Sequence, residues 1–239
     1  MGIMEWEKKG SVAIITMTNA ENRQNIIFAD TMNRFLDEIL ADETISALVI
    51  TSGDEKNFSQ GIDIQWLGER FTEQDNGAIK SFMYGMNRVF TRLLLMPVPV
   101  IAAINGHAFG NGAMLACACD FRFMNAHRGY FCFPEVDLGI PFLPGMVAFV
   151  RKAVPEYKFN EMKLTGRRLT AEELARHHII EKASDSIAEL NQDVMAFAGT
   201  FHKKRAIFGE HKKRMHKKIV EVMDRDDPAF IDSLNLFVQ

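Results

Sequence analysis

Apolar residues recur along the chain with two different periods. The short runs GSVAIITM (10–17) and ISALVITS (45–52), bounded by glycine or polar residues, predict β-strands. Between them Met32, Phe35, Leu36 and Ile39 fall at helical spacing, which predicts a helix capped by Asp30 and running to about Ala41. That order predicts parallel strands joined by a crossover helix. GDEKNFSQGIDIQWL then reads as a polar turn ending at Gly61 and leading into a helix, and 78–95 as a longer amphipathic helix stopped at Met96-Pro97. Pro97 to Ile104 reads as a fully buried strand followed by an Asn105-Gly106 turn. After Gly110, Asn111 and Gly112 comes AMLACAC, small and apolar all round, the composition of a helix inside a core. FRFM (121–124) and YFCF (130–133) predict further strands. Beyond Gly139 the pattern is mostly helical: short helices at 145–153, 156–164 and 171–177, then a charged helical stretch at 187–223 with a break near Gly209. With no internal repeat and no Ser/Gly linker, the chain divides into an α/β core (1–187) and a C-terminal helical region (188–239).

Composition narrows the function classes. A chain of 239 residues, 47% hydrophobic and 25% charged, has the size and make-up of a globular protein with one substantial core. A net charge of −3 argues against a general nucleic-acid binder. Base is nevertheless concentrated in HKKR (202–205), HKKRMHKK (211–218) and Arg225. That face is either solvated helix surface or a contact for ligand phosphates, an acidic partner or RNA. Cys117, Cys119 and Cys132 fit a reducing compartment, and two cysteines two apart on a helix make no metal-ligand pair. No metal is expected. With no apolar run of about 18 residues and no recognisable targeting signal, the expectation is a cytoplasmic protein without a membrane partner.

Two glycine turns, SQGID (59–63) and FGNGA (109–113), each lie between a strand and a helix. Helix-start N–H groups lack internal partners and carry the positive end of the dipole. Side by side, two such turns suit one oxygen that becomes negative; alternatively the glycines only permit tight turns. Gly110-Asn111-Gly112 lacks the glycine spacing of a dinucleotide site. Glu135, in FCFPEVDLGIPF, is either a buried proton shuttle with a raised pKa or part of a surface turn. Asp63 and Asp120 read as structural, and His177-His178 as a helix end. His107 lies beside the central turn, either as a packed loop histidine or within reach of a ligand. No Ser/His/Asp or Cys/His arrangement has positional support.

Five blocks in order resemble the crotonase (enoyl-CoA hydratase/isomerase) superfamily over nearly the whole chain. They are AENRQN, NFSQGIDIQWL, PVPVIAAINGHAFGNGAMLACACDFRF, FPEVDLGI and LTGRRLTAEELARHHIIEKA. The resemblance implies an α/β, crotonase-like (ClpP/crotonase) spiral of stacked ββα turns, with C-terminal helices that mediate assembly into a homotrimer or a hexamer of two trimers. It implies an acyl-CoA thioester substrate, with coenzyme A as part of the substrate and no separate cofactor. Position by position, it makes Ile62 and Asn111 the backbone donors to the thioester oxygen, Gln60, Gly61, Ile62, Asp63, Ile64 and Gly110 ligand contacts, and Glu135 the catalytic acid/base.

Departures sharpen this. Hydratases of the family use two glutamates to position water, and at the first position this chain has Met114. One retained carboxylate resembles the Δ3-Δ2-enoyl-CoA isomerases of fatty acid oxidation, in which one base moves a proton from C2 to C4. Met114 and His107 complete the expected pocket. The alternatives are a hydratase or other crotonase-type reaction, and a non-catalytic CoA- or RNA-binding member.

Overall fold

Alternate residues of the long strands face two different cores. Val12, Ile14, Ala47, Val49, Ile101 and Ala103 pack on one side of a sheet, while Ala13, Ile15, Leu48, Ile50, Val100 and Ala102 pack on the other. In the computed structural model, which describes residues 2–238, these strands form a six-stranded sheet. It comprises β1 (Met4–Lys9), β2 (Val12–Met17), β3 (Ala47–Ser52), β5 (Val100–Ile104), β7 (Phe121–Asn125) and β9 (Lys182–Ser184), in that order. β1 pairs antiparallel with β2, and every other neighbour is parallel. A second, parallel sheet holds three short strands, β4 (Asn57–Ser59), β6 (His107–Phe109) and β8 (Phe131–Cys132).

The chain visits the large sheet, then the small one, then a helix, and repeats. β3 and β4 lead to α2 (Ile64–Thr72) and α3 (Asn76–Leu95); β5 and β6 lead to α4 (Asn111–Ala118); β7 and β8 lead to α5 (Glu135–Leu138). These are the stacked ββα turns of a crotonase-like fold. α1 (Ile26–Ala41) and α3 bury their apolar stripes on one face of the large sheet. α9 (Ile187–Ala198) covers the other with Leu190, Val194 and Ala198. The remaining helices are α6 (Pro144–Ala153), α7 (Glu156–Thr165), α8 (Ala171–Arg176) and α10 (Arg205–Asp232). No described helix is long and apolar enough to cross a membrane.

Three sequence expectations are corrected. α1 starts at Ile26 with Asn25 as its cap, because the Asn25 carboxamide accepts from the Ile27 and Phe28 N–H groups; Asp30 lies inside the helix. The break in the charged C-terminal stretch falls at 199–204, whereas Gly209 is inside α10, its missing side chain letting the helix approach Pro97. The basic run is not wholly a surface either: Lys212 and His216, one turn apart, are both buried. His177 caps α8 and accepts or donates across 3.0 Å to the Tyr157 hydroxyl, a helix-end position as expected.

Lys212 ties α10 to the core. Its Nζ donates to the Leu93 carbonyl at 2.9 Å and to Asp120 Oδ2 at 2.7 Å. Asp120 also accepts from the Val100 N–H. Burial pulls the Lys212 pKa down, opposed by the Asp120 charge. Removing one member of such a pair strands the other charge away from water, so Lys212→Ala should destabilise the fold by roughly 3 kcal/mol. The urea midpoint measures this, and a midpoint unchanged from the wild type would show that the pair does not hold α10.

Candidate active site

Two turns from successive ββα units meet backbone to backbone. Gly61, between β4 and α2, has φ +81°, and a Cβ there would lie 2.7 Å from the Phe109 carbonyl oxygen and 2.9 Å from the Asn111 nitrogen. Gly110, before α4, has φ +52°, and a Cβ there would lie 2.9 Å from Glu135 Oε1. Left-handed backbone and close approach together require glycine at both positions. The contact sets Ile62 beside Asn111, the first residue of α4. Among the described residues, neither the Ile62 nor the Asn111 N–H has a protein acceptor.

A buried polar chain holds the two turns together. Ser59 Oγ donates to the Asn22 carbonyl at 2.7 Å and accepts from the Gly61 N–H and from Gln24 Nε2. Gln24 Oε1 in turn accepts from Asn111 Nδ2 at 2.6 Å. The Gln24 backbone bonds on both sides of Ile62, taking the Asp63 N–H and donating to the Gly61 carbonyl. Asp63 caps α2 by accepting from the Trp66 N–H.

Glu135 opens α5 at the end of β8. The residue is buried, only 6% exposed. Oε2 has no protein hydrogen-bond partner. Burial pushes its pKa up to about 7; its own backbone N–H and the Lys163 ammonium only partly offset this. The surface-turn alternative is therefore excluded by its burial.

Glu135 faces a cavity of about 210 Å³. Gln60, Ile62, Ile64, Gly110, Asn111 and Met114 join it there, so most of the sequence-predicted residues converge. Gly61 and Asp63 act behind the wall, as the backbone contact and the helix cap just described. His107 is not brought to the cavity and is corrected as a pocket residue. Its Nδ1 accepts from the Tyr130 N–H, and its ring stacks on Tyr130 and meets Phe109 at a tilt; Phe109, two residues on along the same side of β6, lines the cavity instead.

Several residues at the site escaped the sequence reading. Arg23 lines the cavity and is the only charged side chain there besides Glu135 among the described residues. Gln24 orients Asn111 from behind. Lys163 lies over the Phe142 ring, 3.7 Å from its centroid, and Phe142 is a cavity wall. Leu236 and Phe237, from the segment after α10, form another wall. AENRQN flags the first two by its place after the first strand pair; no local signal flags the others. Among the described residues no three His, Cys, Asp or Glu side chains converge as a metal site.

The enoyl-CoA hydratase/isomerase family model matches residues 7–227. Enoyl-CoA delta isomerase 3 of Arabidopsis thaliana is 32% identical over 191 residues, covering 77% of each chain. The short-chain-enoyl-CoA hydratase of Clostridium acetobutylicum is also 32% identical, over 190 residues, covering 77% of this chain and 70% of its own. An enoyl-CoA hydratase structure from Bacillus halodurans superposes with a TM-score of 0.85 at 19% identity, covering 96% of this chain and 95% of that one. With its ββα spiral, its paired N–H groups and a match over nearly its full length, this chain belongs to the enoyl-CoA hydratase/isomerase (crotonase) family.

Proposed function

We propose that the protein is a Δ3-Δ2-enoyl-CoA isomerase. The observation that carries this reading is that Glu135 is the one carboxylate among the described cavity residues, with apolar Met114 sharing the wall. In this reading the thioester oxygen accepts from the Ile62 and Asn111 N–H groups. The Glu135 carboxylate removes a C2 proton from a 3-enoyl thioester. The electron pair passes into a dienolate, whose oxyanion is stabilised by the two donors and by the N-terminus of α4. Neutral Glu135 then returns the proton at C4, leaving the double bond between C2 and C3. No atom is gained or lost, and no activated water is required. A pKa near 7 suits a group that must both take and give the proton.

Hydration is the competing chemistry, because one relative of equal identity is named as a hydratase. It requires a water held for attack on C3, and the described cavity offers only one carboxylate to hold it. The reading extends to a homotrimer or hexamer in a cytoplasmic compartment. Support for assembly comes from Ile207, Met215 and Phe230, large apolar side chains exposed on α10. Light scattering should return three or six chain masses; a monomer would remove that part.

Glu135→Gln keeps the shape and removes the base. It should lower kcat for 3-hexenoyl-CoA by about a thousandfold or more while acyl-CoA affinity stays within a few-fold. An active Gln variant, or a wild type that converts crotonyl-CoA to 3-hydroxybutyryl-CoA faster than it isomerises 3-hexenoyl-CoA, would overturn the reading. The pH profile follows from the same group. Glu135 must be ionised to accept the C2 proton, so kcat/KM should rise with pH through about 7 and level off above it. A profile flat from pH 5 to 8 would show that another group is the base.

A further inference from the structure

We propose that Leu236 and Phe237 close the acyl end of the cavity and restrict the enzyme to short-chain acyl thioesters. The proposal rests on the acyl-CoA reading of the site, and its test separates the two.

The segment after α10 returns to the active site between its two arms. The end of α10 is fixed first: Asp227, fully buried, accepts from the Gly145 N–H at 2.7 Å and from Asn87 Nδ2 at 2.8 Å. The Tyr84 hydroxyl donates to Asp232. Leu234, with φ +53°, then turns the chain back. Left-handed backbone is costly for a branched side chain, so surrounding contacts must hold it.

Two contacts do so. The Val238 N–H donates to the Gly139 carbonyl at 2.8 Å, and Gly139 is the C-cap of α5, the helix that Glu135 begins. A Cβ at Gly139 would lie 2.6 Å from the Val238 carbonyl oxygen. On the other side the Phe237 ring meets Phe71 edge to face, centroids 5.5 Å apart, and Phe71 lies in the last turn of α2. α2 starts two residues after the Ile62 donor. From Ile64 to Phe71 it advances about 10 Å. Phe237 thus packs against the far end of α2, whose start adjoins the Ile62 donor, while its neighbour Val238 is bonded to the base-bearing helix.

Volume sets the scale. An apolar cavity of about 150 Å³ takes up one benzene, six carbons, so a cavity of about 210 Å³ has room for roughly eight. Its walls are largely apolar, with Leu67, Met83, Leu143, Met146, Leu236 and Phe237 among them. Leu236 is buried, whereas Phe237 is 41% exposed, so the Phe237 ring separates the cavity from solvent. A longer acyl chain must displace it.

The test compares the wild type with Phe237→Ala and Phe237→Trp. Binding of saturated hexanoyl-CoA and dodecanoyl-CoA is measured by calorimetry, and turnover with 3-hexenoyl-CoA and 3-dodecenoyl-CoA. The wild type should bind hexanoyl-CoA about tenfold more tightly than dodecanoyl-CoA. Phe237→Ala should move that ratio about tenfold toward the long chain, and Phe237→Trp, which keeps an aromatic against Phe71, should move it the other way. Equal wild-type affinity for both chains, or an unchanged ratio in both variants, would overturn the proposal. A binding ratio that shifts as expected in a protein that isomerises no 3-enoyl-CoA supports the closure and removes the isomerase reading instead.

Discussion

The approach of Gly61 to the first turn of α4 is the constraint on which the site depends. Two donors from separate ββα units can converge on one oxygen only if their backbones touch, and a side chain at Gly61 or Gly112 would hold them apart. Helix α4 then has to be buried along its whole length, and every one of its residues is. Its two ends are treated differently. The N-terminal Asn111 N–H has no protein acceptor among the described residues, while two cations donate to carbonyls at and just beyond the C-terminal end. Arg122 donates to Ala116, Cys119 and Asp120 carbonyls, and Lys152 to Cys119. Positive charge at the C-terminus complements the dipole that favours an anion at the other end. The buried cations are thus part of the architecture that leaves the N-terminus free.

Glu135 shows what the site costs the fold. The unfolded carboxyl ionises near its ordinary value, the folded one near 7. Below the unfolded value both states are protonated and no penalty exists. Between the two values the unfolded chain loses its proton first, so stability falls as pH rises, and above about 7 the full penalty stands. That penalty is on the order of 3 kcal/mol, a sizeable share of a typical domain's stability. A glutamine would avoid it, and no proton could then be moved. On the proposed reading, catalytic use rather than packing accounts for a carboxylate there.

Much of this was legible in the sequence, for physical reasons that differ by element. Strands β2, β3 and β5 are buried on both faces and read as apolar runs. α4 declared itself through its small residues. The strands β4, β6 and β8, of two or three residues, are too short to display a period, so β4 read as a turn. Asn25 and Asp30 are equally good caps on paper, and only the Gln24–Ile62 bridge decides between them. Lys212 and His216 were hidden in a run of like charge because a lysine's burial depends on a distant partner, here Asp120. Leu236 and Phe237 sit over a hundred residues from Glu135, and nothing local marks them as its neighbours. The sequence pattern records period and turn chemistry; it does not record which distant segments close a cavity.

Identity alone leaves isomerisation and hydration equally placed, so the residues around Glu135 must discriminate. A water poised for attack needs acceptors that hold it and a base that takes its proton. Glu135 can supply one of these, and its Oε2 is unpartnered and ready to do so. The cavity wall is otherwise largely apolar, with Met114, Pro134, Leu143 and Met146 among its residues, and its polar side chains besides Arg23 are the amides of Gln60 and Asn111. Arg23, the one other charge, is paired with Glu21 and offers donors only. A water there would find one carboxylate, Glu135, to take its proton. On the proposed reading, the largely apolar wall would shield a dienolate, whose C4 would then meet the Glu135 proton before it meets solvent. On the proposed reading, Met114, at the position where the resemblance to two-glutamate hydratases would place a second acid, favours proton transfer within the substrate.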